Sequence, residues 1–302
     1  MSMQAFSGSF RKDLQWKRGP LAQDAFNGKK VAVIGGTNGI GRALARALVA
    51  KGAEVLVVGR TFRDQGLPHL RFIEADLTKM KVASRIAREL PAEALDMLIF
   101  TTGVMAGKQR SATPEAIELD LAVSYLNRFV MVREMAQRLG KNRGDGKSKP
   151  RVFIWGFPGT NQKGNLDDFN SERSYSAMTA HSNTVIGNEA LVLDGAVRYP
   201  HVNFYGLNPG LIKSSIRTGV LGEGSFVLKL TEMLIGALFP SADQYAERIL
   251  PLLASPDIEA YSGAMFGRRG APILASRSLS QELYLQKVIE ESEKLSRKAL
   301  LQ

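Results

Sequence analysis

The stretch KKVAVIGGTNGIGRALARALVAKG, residues 29–52, changes its period in the middle. KKVAVIG carries an apolar run bounded by Lys and Gly, the pattern of a strand buried on both faces. GIGRALARALVAKG then repeats its apolar residues at helical spacing, and Gly52 ends it. Between the two, Gly35, Gly39 and Gly41 share the turn with Thr37, Asn38 and Ile40. Glycine permits a tight turn and a close approach of backbone to a ligand. The free N–H groups and dipole at the start of the helix then favour a pyrophosphate. A Gly-rich loop is a weak signal alone. Placed directly after a strand and opening a helix, it is a much stronger one.

Outward from that unit the alternation continues. EVLVVGR and LRFIEADL read as strands, and VASRIARELP as a helix stopped by Pro91. LDMLIFTTG reads as a fourth strand, residues 115–139 as one long helix, and RVFIWG (151–156) as a fifth strand. NTVIGNEALVLDGAVRYP is a helix stopped at Pro200, and HVNFYGLNPG a sixth strand with its exit turn. Short apolar strands alternating with helices predict βαβ units on a parallel sheet. The expected fold is α/β, a Rossmann-type doubly wound sheet in one domain over residues 29–302, preceded by an N-terminal arm, residues 1–28. GKNRGDGKSKP (140–150) reads as a surface loop with nothing to bury. SLSQELYLQKVIEESEKLSRK opens with a capping-box pattern at Ser278 and Gln281 and reads as an amphipathic helix.

Composition narrows the chemistry. The 302 residues contain no Cys, and the three His are scattered, so neither disulfides nor a metal site is expected. The net charge of +11 fits a protein that steers an anionic cofactor. The basic residues are spread out and not interleaved with aromatics, so nucleic acid is not an expected partner. The N-terminus lacks the apolar core of a signal peptide. The segment FVLKLTEMLIGALF (226–239) holds Lys229 and Glu232 and is too short to span a bilayer. A cytoplasmic protein is expected.

The motif GGTNGIG is similar to the TGxxxGxG fingerprint of the short-chain dehydrogenase/reductase family, with Ile34 where the family usually has Thr. The resemblance runs over roughly residues 28–295. LDDFNSE (166–172) looks like an insert of the retinol-dehydrogenase-like branch, and YSGAMFGRRG (261–270) like a later segment of that branch. The second strand ends in Gly59-Arg60. An acid there would bond the ribose 2′-hydroxyl of NAD, whereas Arg accommodates a 2′-phosphate, so Arg60 predicts NADP(H). Arg42 or Arg63 would assist. The resemblance implies further cofactor contacts at Asp76 and Leu77, at Gly103 in FTTG, and at Pro209, Gly210, Ile212 and Ser214 in NPGLIKSS. It also implies a homodimer or homotetramer.

The family's acid–base residues are a Tyr, a Lys four residues on, a Ser and an Asn. Tyrosine alone has a pKa of about 10, so without a neighbouring cation it is a poor base at neutral pH. Each position departs here. Phe157 stands at the Ser position and Ser124 at the Asn position, with Asn127 one turn on. Counting from Tyr175 places Thr179 at the Lys position. Counting back from Asn183 and Glu189 places Ser176 at the Tyr position and Ala180 at the Lys position. Neither register supplies a Lys. Tyr175 and Ser124 are the expected catalytic residues, with Lys163, Asp167, Asp168 and His181 as replacement proton donors. The Gly-hinged apolar segment over about 214–240 reads either as a lid over a hydrophobic small-molecule substrate or as core or a dimer face, and Phe153, Trp155 and Phe157 would add to a greasy site. The expected function is an NADP(H)-dependent oxidoreductase acting on a hydrophobic carbonyl or alcohol. Two alternatives share the scaffold: a non-redox isomerase, lyase or cyclase, or an inactive NADP(H)-binding protein.

Overall fold

The computed structural model describes residues 8–105, 107–144, 146–212 and 240–302. The lid segment and Ser214 lie outside them, apart from Pro240. An eight-stranded sheet runs in the order β3-β2-β1-β4-β5-β6-β7-β8. Its strands are β1 (Lys30–Ile34), β2 (Glu54–Gly59), β3 (Leu70–Glu74), β4 (Met97–Phe100), β5 (Arg151–Trp155), β6 (Asn203–Leu207), β7 (Ala264–Phe266) and β8 (Pro272–Ile273). Neighbouring pairs are parallel, except that β8 closes antiparallel on β7. The order reverses at β1, which pairs with β2 on one side and β4 on the other, so a switch point opens at their carboxyl ends.

Helices cover both faces: α1 (Gly39–Ala50), α2 (Met80–Glu89), α3 (Leu119–Leu121), α4 (Asn127–Met135), α5 (Ala177–Arg198), α6 (Ala242–Ala254) and α7 (Glu282–Leu301). The strand pleat sorts residues into two cores. Val31, Val33, Val55 and Val57 pack on the face of α1 and α6. Ala32, Ile34, Leu56 and Val58 pack on the face of α2, α4, α5 and α7. Each fully buried Val, Leu or Ile contributes roughly 1.5–3 kcal/mol. The continuous apolar strands noticed in the sequence are therefore a consequence of double coverage.

The N-terminal arm is draped on the far edge of the sheet. Phe10 bridges Ile273, and Trp16 donates through Nε1 to the carbonyl of Gly270 at 2.7 Å. Leu14 and Phe26 are buried with the α1/α6 core.

Four expectations need correction. The helix expected from residue 115 begins only at Leu119, because Ala116 adopts φ 58° and turns the chain. Glu115 instead caps α2 from outside, accepting from the backbone N–H of Met80 at 2.6 Å and of Lys81 at 3.1 Å. Between α3 and α4 the helix widens into a π turn, Ala122–Leu126. The capping box at Ser278 and Gln281 does not form, since Ser278 lies in a short 3-10 turn and Gln281 itself is the N-cap of α7 without a side-chain bond. A capping box forms instead at Ser241 and Gln244, opening α6. The loop 140–150 does bury something: Arg143 pairs with Asp96 at 2.8 Å with both side chains inaccessible. Finally, Phe153 and Trp155 face the core, Phe153 stacked on Tyr205 and Trp155 donating to the hydroxyl of Tyr245 at 3.0 Å. Only Phe157 of that aromatic group is left near the sheet's carboxyl edge.

Candidate active site

Two glycines of the first turn, Gly35 and Gly41, are sterically required. Gly35 has φ 89°, and a Cβ there would meet the backbone N of Thr102 at 2.6 Å. A Cβ on Gly41 would come within 2.3 Å of both the Gly35 carbonyl oxygen and Thr101 Oγ1. The N-terminus of α1 therefore sits directly against the exits of β1 and β4. Asn38 leaves that end uncapped by its side chain, and the first turn holds no acid. Free N–H groups and the positive end of the dipole remain for an anion.

A cleft of about 260 Å³ opens there, lined by Gly35, Thr37, Asn38, Gly39, Ile40, Arg60, Asp76, Leu77, Gly103 and Val104, among others. Nine residues expected at the cofactor from the sequence thus share one surface, and Gly41 packs beneath them. Thr78, Thr101, Thr102 and Val123 also line it and were not anticipated. Arg42 is committed elsewhere, forming two hydrogen bonds to Asp64 at 2.7 and 2.8 Å. Pro209, Gly210 and Ile212 stand apart from this lining, at the exit of β6. Asn208 stitches that exit to its neighbours, accepting from Gly210 N at 3.0 Å and donating to the Pro158 carbonyl at 3.2 Å. Glycines that leave backbone exposed, an uncapped helix start and a cleft at the switch point suit a dinucleotide.

Next to the cleft the π turn carries Ser124. Its Oγ accepts from Val104 N at 3.0 Å and donates to Asp120 Oδ1 at 2.5 Å. Asp120 is completely buried, and its Oδ2 lies 3.1 Å from His181 Nδ1. A carboxylate only accepts, so Nδ1 carries the hydrogen. The His181 ring meets Phe157 edge-on, with centroids 5.8 Å apart. A serine from α3–α4, a histidine from α5 and an aromatic from the β5 exit therefore converge beside Val104.

Below them lies Arg128, buried and, among the described residues, without an ion pair. It donates to the carbonyls of Trp155 and Thr102 and to Asn188 Oδ1. Burial pulls its guanidinium down to about 9, and the charge of Asp120 opposes this. Arg128 thereby clamps the carboxyl ends of β4 and β5.

The other expected groups are placed as follows. Tyr175 donates its hydroxyl to the Gly107 carbonyl at 2.8 Å. Its pKa is raised by burial and by the charges of Glu118 and Asp120, which outweigh Arg110. Ser176 is the N-cap of α5 and accepts from Thr179 N, while Ala180 is buried. Asp167 is exposed and pairs with Lys287 at 2.9 Å. Burial acts to raise Asp168, but the backbone N–H groups of Ser174, Glu172 and Arg173 outweigh it and hold it low. Lys163 is exposed. Asp120, Arg128 and Asn188 escaped notice, because nothing in a helical repeat marks which polar residue turns inward.

Among the described residues, no group of three or more metal-ligating side chains occurs, and no helix is long and apolar enough to cross a membrane.

The short chain dehydrogenase family matches residues 29–147. An uncharacterized oxidoreductase of Saccharomyces cerevisiae is 45% identical over 297 residues, covering 96% of this chain and 96% of that protein. Human retinol dehydrogenase 14 is 24% identical over 274 residues, covering 80% of this chain and 78% of its own length. Among solved structures, one described as a short chain dehydrogenase of Escherichia coli complexed with NADPH superimposes with a TM-score of 0.59 at 15% identity, covering 82% of this chain and 99% of that one. Likeness along nearly the whole length of an oxidoreductase, on a sheet of this strand order, means that the chain belongs to the short-chain dehydrogenase family of NAD(P)(H)-using oxidoreductases.

Proposed function

We propose that the protein is an NADP(H)-dependent oxidoreductase that interconverts a hydrophobic carbonyl compound and its alcohol, with an atypical proton donor. The observation that carries the choice of NADP(H) is Arg60. It lines the same cleft as the Gly-rich turn, at the end of β2, where a guanidinium complements a 2′-phosphate. The E. coli structure described as complexed with NADPH agrees with this choice.

When bound, NADP(H) would supply the hydride. The chain's own residues do the rest. Gly35, Gly39 and Gly41 bring backbone to the pyrophosphate, and Thr37, Asn38 and Ile40 complete that wall. Asp76 and Leu77 border the adenine side, and Gly103 the strand exit. Pro209, Gly210, Ile212 and Ser214 remain assigned to the nicotinamide end by resemblance. Ser124 orients the site, its single proton already given to Asp120. Tyr175 belongs to the same proposal as a second candidate for the proton. An apolar substrate fits the half-exposed Phe157 and the exposed Met178 on the first turn of α5. A homodimer or homotetramer rests on the family resemblance.

Calorimetric titration with NADPH and NADH tests the reading. NADPH should bind more tightly. Arg60→Ala should weaken NADPH by about 10- to 100-fold, as loss of a charge-assisted contact does, and leave NADH within about twofold. Equal binding of both nucleotides by the wild type would sink the assignment.

A further inference from the structure

We infer that His181, held by Asp120, is the group that exchanges a proton with the substrate oxygen; this rests on the oxidoreductase reading above and names the atypical donor. Four observations carry it. His181 Nδ1 is fixed by a carboxylate that is itself completely buried. Among the described residues, no Lys or Arg forms an ion pair with Asp120, so its direct partners are Ser124 and the imidazole, with the Arg128 charge acting from further off. The Nδ1 contact leaves Nε2, on the far side of the ring, pointing away from Asp120, and the ring meets the half-exposed Phe157 edge-on. Lastly, the cluster is joined to the cofactor cleft through one residue, since Val104 both lines the cleft and bonds Ser124.

The arrangement follows the logic of a base oriented by a buried acid. In reduction, the carbonyl carbon gains the hydride that NADPH gives up in becoming NADP⁺. The C=O π pair moves onto oxygen, and that oxygen takes the proton from Nε2 of the doubly protonated ring. His181 is left neutral with its hydrogen on Nδ1, facing Asp120, and recovers the Nε2 proton from water. The sum is carbonyl plus NADPH plus H⁺ giving alcohol plus NADP⁺. Oxidation runs the same path backwards. His181 is the catalytic residue in this scheme, and Asp120 a positioning residue acting through it. Among the described residues, the ionisable surroundings are Asp120 from α3, with Glu118, Arg128 and Tyr175 around that carboxylate and Arg110 beside Glu118 and Tyr175. Phe157 contributes none.

The test uses decanal as the carbonyl probe, with full-length protein. His181→Asn should lower kcat by about 100-fold, the usual contribution of one general acid, with the NADPH dissociation constant unchanged. Asp120→Asn, which keeps an acceptor for Ser124, should lower kcat by about tenfold. The pH profile of kcat should change in both His181→Asn and Asp120→Asn, which a merely structural role would not produce. A second readout needs no turnover. The chain has three histidines, so ¹⁵N-histidine labelling gives a simple spectrum. Decanal added with NADP⁺ should shift Nε2 of His181 and leave His69 and His201 in place. An unmoved His181 resonance, or a His181→Asn enzyme within threefold of wild type while Tyr175→Phe is dead, overturns the assignment. A wild type that fails to bind NADPH in the titration ends the oxidoreductase reading instead, and is scored separately from the histidine result.

Discussion

Nη1 of Arg128, on α4, donates to the carbonyl oxygen of Trp155 at 2.5 Å, across the end of β5. The same guanidinium holds the Thr102 carbonyl at the end of β4. Arg128→Met fills similar volume but leaves these buried acceptors unpaired. We expect a loss of about 2–5 kcal/mol in urea unfolding. NADPH affinity should fall with it, because the β4 exit forms one wall of the cleft.

The turn glycines give a sharper result. Gly41→Ala would set a methyl 2.3 Å from Thr101 Oγ1 and from the backbone oxygen of Gly35. The side chain can rotate, but the carbonyl cannot retreat without moving the exit of β1. An overpacking cost of about 1–3 kcal/mol is expected, with NADPH affinity reduced at least about tenfold. Circular dichroism melts with nucleotide titration separate the two effects. A variant that binds NADPH normally would show that the turn is looser than its contacts imply.

The buried carboxyl of Glu189 yields a pH prediction. It accepts from Ser276 Oγ at 2.8 Å and Gly159 N at 3.3 Å, and burial pushes it up despite the bonds from Ser276 and Gly159. A carboxyl raised in the folded state binds more protons there than in the unfolded chain. Its contribution is present below the unfolded value of about 4.3 and is lost as pH rises through the folded one. Unfolding free energy measured from pH 4 upward should therefore decline more steeply in the wild type than in Glu189→Gln. Parallel curves would count against it.

Leu14→Ala tests the arm. Leu14 is buried although it precedes the first strand. Truncating it should cost about 2–4 kcal/mol in thermal unfolding, as for a core leucine, with the family reaction unaltered in KM. A neutral variant would mean that the arm is not part of the folded unit.

These expectations separate what the sequence discloses from what it hides. The β1–turn–α1 unit and its five following strands are legible because their signals are local: period, glycine and flanking punctuation lie within a few residues of one another. Of the nine expected residues that line the cleft, those of the Gly-rich turn follow from the same local pattern, whereas Asp76, Leu77 and Gly103 come from the family resemblance. The Asp120–His181 contact joins positions 61 residues apart, and neither belongs to a recognisable motif. Glu115 looks like a helix residue until Ala116 reverses the backbone. The π turn at Ser124 shifts the inward face of the helix by one residue, which a 3.6-residue period does not anticipate. Strand β8 has two residues, too few to show any alternation.

The placement of the arm has a consequence for synthesis. Arg11 N bonds the Pro272 carbonyl, Lys17 N bonds Asp257, and Trp16 reaches Gly270. Residues 11–17 thus have to wait for a segment about 250 residues further along the chain before they can settle. Until then the hydrophobic groups of Leu14 and Trp16 stay uncovered. Contacts of such long sequence separation form slowly. The nascent protein should accordingly be most vulnerable to proteases and to aggregation until that segment is made, after the β1–turn–α1 unit has already taken shape.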